Sequence, residues 1–224
     1  MADDGGFEHN LQSRRIVDSL AKRYPKIDGI NLTFEVREGL IKHFTPFDKP
    51  AGQHKFLSCE AQVANVSDEI SYNNHDLDDG LNSGLINIHD LEHNVCLWRE
   101  ASKAITQQFS NLSDQQRQPL IISHLISSQI KDVVKCSLKN INALSIKSVD
   151  DFYSISQPVI TYTEELQEKN KELRHYLFNL FYTHSHIKKM NDFGKHVIKQ
   201  LFNTYINYPT LINDDFFKSF QNKY

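Results

Sequence analysis

Cysteine is scarce in this chain: Cys59, Cys96 and Cys136 are the only three, far apart and without a CxxC pair. An odd, scattered set reads as reduced thiols in a cytosol rather than a disulfide framework. Long apolar runs are missing, and none approaches the ~20 residues of a membrane span. The opening MADDGGFEHN carries no basic stretch followed by an apolar one, so no signal peptide is expected. There is no surplus of positive charge. The net charge is −3 and the pI near 6.4, so nucleic acid is not the default partner. Strand signals are few, since no Asn-Gly or Asp-Gly turn stands between alternating runs and Asp79-Gly80 follows a helical pattern. Internal repeats and low-complexity segments are absent from the sequence.

What remains is a globular, helical composition. The 224 residues suffice for one domain with a sizeable core, and 39% hydrophobic with 24% charged residues excludes a disordered chain. Residues 1–6 read as a leader, with a single all-α domain over 7–224. A helix is expected from Glu8 to Arg23 with Leu11, Ile16 and Leu20 as its stripe, ended by a turn at Pro25 and Gly29. Thr33 caps a second helix to His43 that buries Phe34, Leu40 and Ile41. Thr45–Phe56, with Pro46, Pro50 and Gly52, reads as a long loop.

The next stretch organises the chain. Over Leu57–Gly80, apolar Val63, Val66, Ile70, Leu77 and Leu81 recur at helical spacing within an arc of roughly 60°. Asp68, Tyr72, His75, Asp76 and Asp79 share the opposite face, within roughly 100°. Such a face is ordinarily solvated. Here it holds three carboxylates with no Lys or Arg of its own, and Tyr72 sits among them with a ring suited to stacking. A carboxylate cluster of that kind suits a divalent metal or a ribose.

Gly80 and Gly84 are expected to break this helix. Asn87 caps a short helix containing Leu91, and another covers Val95–Phe109. Ser113 and Gln116 form a capping-box pattern. Pro119 restarts or kinks the helix that follows, which runs through Leu120, Ile121, Leu125, Ile126, Ile130 and Val133 towards Leu144. Residues 145–160 read as a connection. Thr163 opens a helix to Thr183 with Leu166, Leu173, Leu177, Leu180 and Phe181 as its stripe. A further helix spans His186–Tyr205 with Met190, Phe193, Val197 and Leu201, Pro209 closes it, and a last short helix covers Asp214–Phe220.

Three strings carry a resemblance. EAQVANVSDEISYNNHDLDDGLNSGL is similar to the last motif of the HD-domain deoxynucleotide triphosphohydrolases, the dGTPase-like family. Residues 5–43, GGFEHNLQSRRIVDSLAKRYPKIDGINLTFEVREGLIKH, resemble the same family, as does LFNLFYTHSHIKKMNDFGKHVIKQLF over 177–202. The resemblance implies an all-α helical bundle, with 7–84 as the remainder of the HD-type core and 85–224 as the C-terminal helical part. It implies hydrolysis of a deoxynucleoside triphosphate to nucleoside and triphosphate, with a divalent metal such as Mg or Mn activating water. Asp68 corresponds to a metal ligand, Tyr72 to the residue packed on the deoxyribose, and Asp76 to the aspartate that meets the 3′-hydroxyl. His9 corresponds to a histidine near the phosphates, a phosphate contact or proton donor, although it also reads as an ordinary helix-start histidine.

The family's other three metal ligands, a histidine and a His-Asp doublet, precede the GGFEHN string. His75-Asp76 is not that doublet, and only residues 1–4 stand before GGFEHN here. One carboxylate does not hold a catalytic metal, which needs at least three protein ligands. The expectation is therefore a C-terminal part of a split or truncated enzyme, incomplete at its N-terminus and inactive alone, with an open site around Asp68. A second polypeptide carrying the His…His-Asp half would complete it. Self-association and a cytoplasmic location are also implied, without a membrane partner. A non-catalytic interaction module and a metal-free nucleotide-binding protein are the alternatives. His89 and His93, four apart, have the spacing of a zinc pair but lack the Glu of an HExxH motif; solvation or capping is the plainer reading. His184 and His186 read as structural.

Overall fold

The computed structural model describes residues 6–41 and 57–212. The loop expected over Thr45–Phe56, the leader's residues 1–5 and the helix expected over Asp214–Phe220 lie outside the described residues. Among the described residues the protein is all-α. The only β pairing is two isolated bridges, Lys22 with Gly29 and Tyr24 with Ile27, at the expected turn. No helix among them is long and apolar enough to cross a membrane.

The first unit is α1 (His9–Arg15), a π-turn (Ile16–Leu20) and α2 (Phe34–Ile41). The Glu8 side chain caps α1 by accepting from the Asn10 and Leu11 amides. Asp18 binds Arg37 through both carboxylate oxygens, at 2.7 and 2.8 Å, and Arg14 at 3.2 Å. Gly29 is fixed by backbone geometry. Its φ is +75° and a Cβ would stand 2.2 Å from the Val17 carbonyl oxygen, where the Ile30 amide donates. Leu11, Ile16 and Phe34, expected to be inside, are exposed. This unit is held by ion pairs and by α1 lying on α2, not by an apolar core of its own.

The body is built on α3 (Cys59–Asn82), capped by Ser58. Then come α4 (Ile88–Asn94) with its Asn87 cap, α5 (Cys96–Gln108) and α6 (Asp114–Ala143), which opens on the expected Ser113–Gln116 capping box. α7 (Val149–Tyr153) lies inside what reads in sequence as a connection, and α8 (Glu164–Leu177) follows with Thr163 as cap. A π-turn (Phe178–Tyr182) leads to α9 (Ser185–Asn207). Leu77, Leu91, Trp98, Ile121, Leu125, Leu173 and Leu177, from α3, α4, α5, α6 and α8, form the main core. A smaller cluster of Phe152, Val159 and Ile160 is pinned by Gln62, whose Oε1 accepts from the Val159 and Ile160 amides at 2.9 and 3.0 Å.

Several helix readings shift. α3 runs through Gly80 to Asn82. Gly80 serves close packing there rather than termination: a Cβ on it would stand 2.3 Å from Ile86 Cδ1. Pro119 lies inside an unbroken α6, within its second turn, where few amide partners are lost. Ile130 is exposed, while Gln129 and Ser137 take the inward positions of α6. Leu180 turns outward because the π-turn adds a residue to the turn and rotates the register. Val63 of α3 is also exposed, on the rim of a 260 Å³ apolar groove that it shares with Val134 and Leu138 of α6. α9 buries none of its residues: Met190, Phe193 and Leu201 are all exposed.

Candidate functional site

Asp68, Tyr72 and Asp76 stand on successive turns of α3. α8 and its π-turn pack beside them and contribute two side chains. Arg174 donates to Glu69, one residue after Asp68, and the Tyr182 hydroxyl donates to Asp76 Oδ2.

Tyr72 is half-buried. Its hydroxyl is buried and meets no partner at hydrogen-bonding geometry among the described residues, although the Arg174 guanidinium stands beside it. Burial raises the Tyr72 pKa, and the Glu69 charge adds to the rise while Arg174 opposes it. Burial also raises the Glu69 pKa and outweighs the opposing pull of Arg174. Tyr182 is raised by burial first and then by its bond to Asp76. The three tyrosine and glutamate shifts share one cause: the α3–α8 seam is drier than the face beyond it.

Asp68 is exposed, as are His75 and Asp79, and Asp68 lies outside the apolar groove between α3 and α6. Asp78 belongs to packing: Gln118 of α6 donates to it at 3.0 Å and to Asn82 at 2.9 Å. His9 is half-exposed at the start of α1, with Nδ1 3.4 Å from Glu8.

A divalent metal was tested against these donors. Among the described residues, no group of three or more His, Cys, Asp or Glu side chains is placed to hold an ion. Asp68 alone does not satisfy one, so the described residues do not fit a catalytic metal by themselves. The His89–His93 pair stacks with ring centroids 4.9 Å apart and Nδ1 atoms 3.3 Å apart, and gains no third ligand among the described residues. His184 caps α9 by accepting from the His186 amide at 3.2 Å.

Sequence reading missed Glu69, Arg174 and Tyr182. Arg174 lies in the last turn of α8 beside His175, where it looks like a helix-dipole partner. Tyr182 lies two before His184 in the third similar string, and its role follows only from the π-turn that swings it back onto α3.

A phosphohydrolase-associated domain profile matches residues 160–224, which contain α8, the π-turn and α9. A deoxyguanosinetriphosphate triphosphohydrolase-like protein of Geobacter metallireducens is 43% identical over 214 residues, covering 93% of this chain and 55% of the relative. Its namesake in Geobacter sulfurreducens is 41% identical over the same shares, and that of Bartonella tribocorum 34% identical over 228 residues, 57% of the relative. The chain thus spans about half the length of the curated relatives it matches.

Proposed function

We propose, on the premise that this chain is a relative of the dGTPase-like HD-domain family, that it supplies the sugar-binding wall of a deoxynucleoside triphosphate triphosphohydrolase site. In this reading the Tyr72 ring packs on the deoxyribose. Asp76 Oδ1 accepts the 3′-hydroxyl, while Oδ2 is held by Tyr182. Asp68 is one ligand of a divalent cation, Mg or Mn, whose other ligands come from outside the described residues. His9 serves at the phosphates. A cytoplasmic setting accords with three free thiols, and self-association belongs to the same reading.

The observation that carries this reading is the seam itself. α8 and its π-turn fix Asp76 and shelter the Tyr72 hydroxyl, while Asp68, one turn before Tyr72, is exposed to solvent. The sugar-facing positions are thus held in place by a neighbouring helix, which is what a substrate wall requires. A non-catalytic interaction module is the second reading, favoured by the lack of a three-ligand cluster among the described residues.

The test is triphosphate release from dGTP with Mg²⁺ or Mn²⁺, first on this chain alone and then with a polypeptide carrying the His…His-Asp motifs. No release alone, release on mixing, and its loss in Asp68→Ala are the expected results. Silence on mixing, with both polypeptides folded, would favour the interaction module. Release by the chain alone that Asp68→Ala abolishes would mean a complete metal site lies within this chain.

A further inference from the structure

A cavity of 330 Å³ lies between α4, α5 and the first turns of α6. Small-molecule sites span about 300–1,000 Å³, so it stands at the lower end of their range. None of His9, Asp68, Tyr72 and Asp76 lines it, which separates it from the catalytic reading. Trp98 forms part of its wall. That residue is 0% exposed, and its indole N–H meets no acceptor among the described residues. A buried tryptophan N–H ordinarily has one. Arg117, half-buried on the same wall, has its Nε buried and equally without a partner among the described residues. Both groups are donors, and one cavity holds them both.

The cavity also holds a carboxylate that its arginine does not meet. Glu92 of α4 accepts from Ser102 Oγ of α5 at 3.2 Å and forms no ion pair with Arg117 of α6 among the described residues. Asp114, also on the wall, is exposed, so water serves it. Gln118 is already engaged with Asp78 and Asn82. Ile88, Ile121 and the Trp98 ring supply an apolar lining. Water in the cavity would accept from both donors but balance neither charge. A simple anion would satisfy Arg117 and Trp98 and be repelled by Glu92. A simple cation has the reverse difficulty, and a nucleobase edge carries no charge for either. The complement is a molecule with both signs and an apolar body. We propose that this cavity binds a zwitterionic α-amino acid with an aliphatic side chain. Its carboxylate accepts from Trp98 Nε1 and the Arg117 guanidinium, and its ammonium donates to Glu92. Its side chain lies along Ile88 and Ile121. Hydrogen bonds with an ionised partner are the stronger class, and here both ends of the ligand make them.

Trp98 is the single tryptophan of the chain, so its fluorescence and its one indole N–H resonance report on this cavity. The full chain is titrated with L-leucine. Both signals should shift saturably, the indole proton moving downfield as it gains an acceptor. Isocaproate is leucine without its ammonium, and isopentylamine is leucine without its carboxylate. Each should bind more weakly than leucine by about tenfold or more. Arg117→Met and Glu92→Gln should each weaken leucine binding by about tenfold or more, with urea midpoints showing that both variants fold. No saturable shift with leucine would overturn the proposal and leave the cavity to water. Isocaproate binding as tightly as leucine, and unaffected by Glu92→Gln, would overturn it in favour of a plain anion site. Deoxyguanosine shifting the indole signal where leucine does not would also overturn it, by making this a nucleobase pocket. Every readout is one of binding, so the amino-acid site and the catalytic reading fail separately.

Discussion

The Tyr182 hydroxyl donates to Asp76 Oδ2, tying the π-turn after α8 to the third acidic turn of α3. Tyr182→Phe keeps the ring and deletes this bond. Hydrogen bonds to charged groups contribute about 1.5–3 kcal/mol, and Asp76 retains some contact with water, so a loss of about 1–2 kcal/mol is expected. Urea unfolding measures it. An unchanged midpoint would mean that water replaces the phenol at no cost.

Arg174→Met should cost more at neutral pH than in mild acid. The Glu69–Arg174 pair is partly buried, with side chains 24% and 28% exposed. Removing the cation strands a carboxylate in the seam, which costs about 2–3 kcal/mol, below the 3–5 kcal/mol of fully buried pairs. Burial already raises the Glu69 pKa against the pull of Arg174, and without Arg174 it rises further. A carboxyl whose folded pKa lies above its unfolded one loses its penalty as pH falls and it protonates. The gap between variant and parent should therefore narrow from pH 7.5 towards pH 4.5, by urea melts at each pH. A second change, Glu69→Gln, should recover most of the stability, and its failure to do so would shift the cost to lost packing of the Arg174 stem.

Much of this architecture is legible in the sequence because it depends on local rules. The Ser113–Gln116 box, the Asn87 and Thr163 caps and the long apolar periodicity of α3 each set a helix by contacts within four residues. The interior of the bundle is less legible. Asn73, Asn74, Gln129 and Asn170 are buried at its centre, positions a hydrophobic pattern assigns to leucine. Two π-turns rotate the helices that contain them, which is why Ile16 and Leu180 face outward despite ideal spacing. For the candidate site, Asp68, Tyr72 and Asp76 share one face by arithmetic. Arg174, which binds the adjacent Glu69, and Tyr182, which binds Asp76, are about a hundred residues away, and only tertiary packing brings them near.

Gly29→Ala should loosen the N-terminal unit. At φ +75° any Cβ is strained, and this one would overlap the Val17 and Asp18 backbone, which has no flexible end to move. A loss of roughly 2–4 kcal/mol is expected, confined to α1–α2. Limited proteolysis should then cut within residues 16–33 while the body around Trp98 remains resistant. Equal resistance of both parts would show that the turn relaxes without disturbing the Asp18–Arg37 pair.

The last expectation concerns alkaline pH. Burial is the first cause of a raised pKa at Tyr72, Tyr162, Tyr176 and Tyr182, with Tyr176 pushed up to about 12. An unfolded tyrosine titrates near 10. A group whose folded pKa lies above its unfolded value contributes stability that is complete below the unfolded pKa and disappears as pH rises through the folded one. Unfolding midpoints should be level up to about pH 9 and fall between about pH 10 and 12. Lys169, raised by its bonds to Glu100 and Glu165, has the same sign and adds to the fall. The ultraviolet absorbance of tyrosinate separates the two contributions, because only the phenols report there. Tyr176→Phe should remove one late-titrating phenol and make the fall shallower. Stability that holds level to about pH 11, with all tyrosines ionising near 10, would show that these hydroxyls are open to water and that the α3–α8 seam is wet.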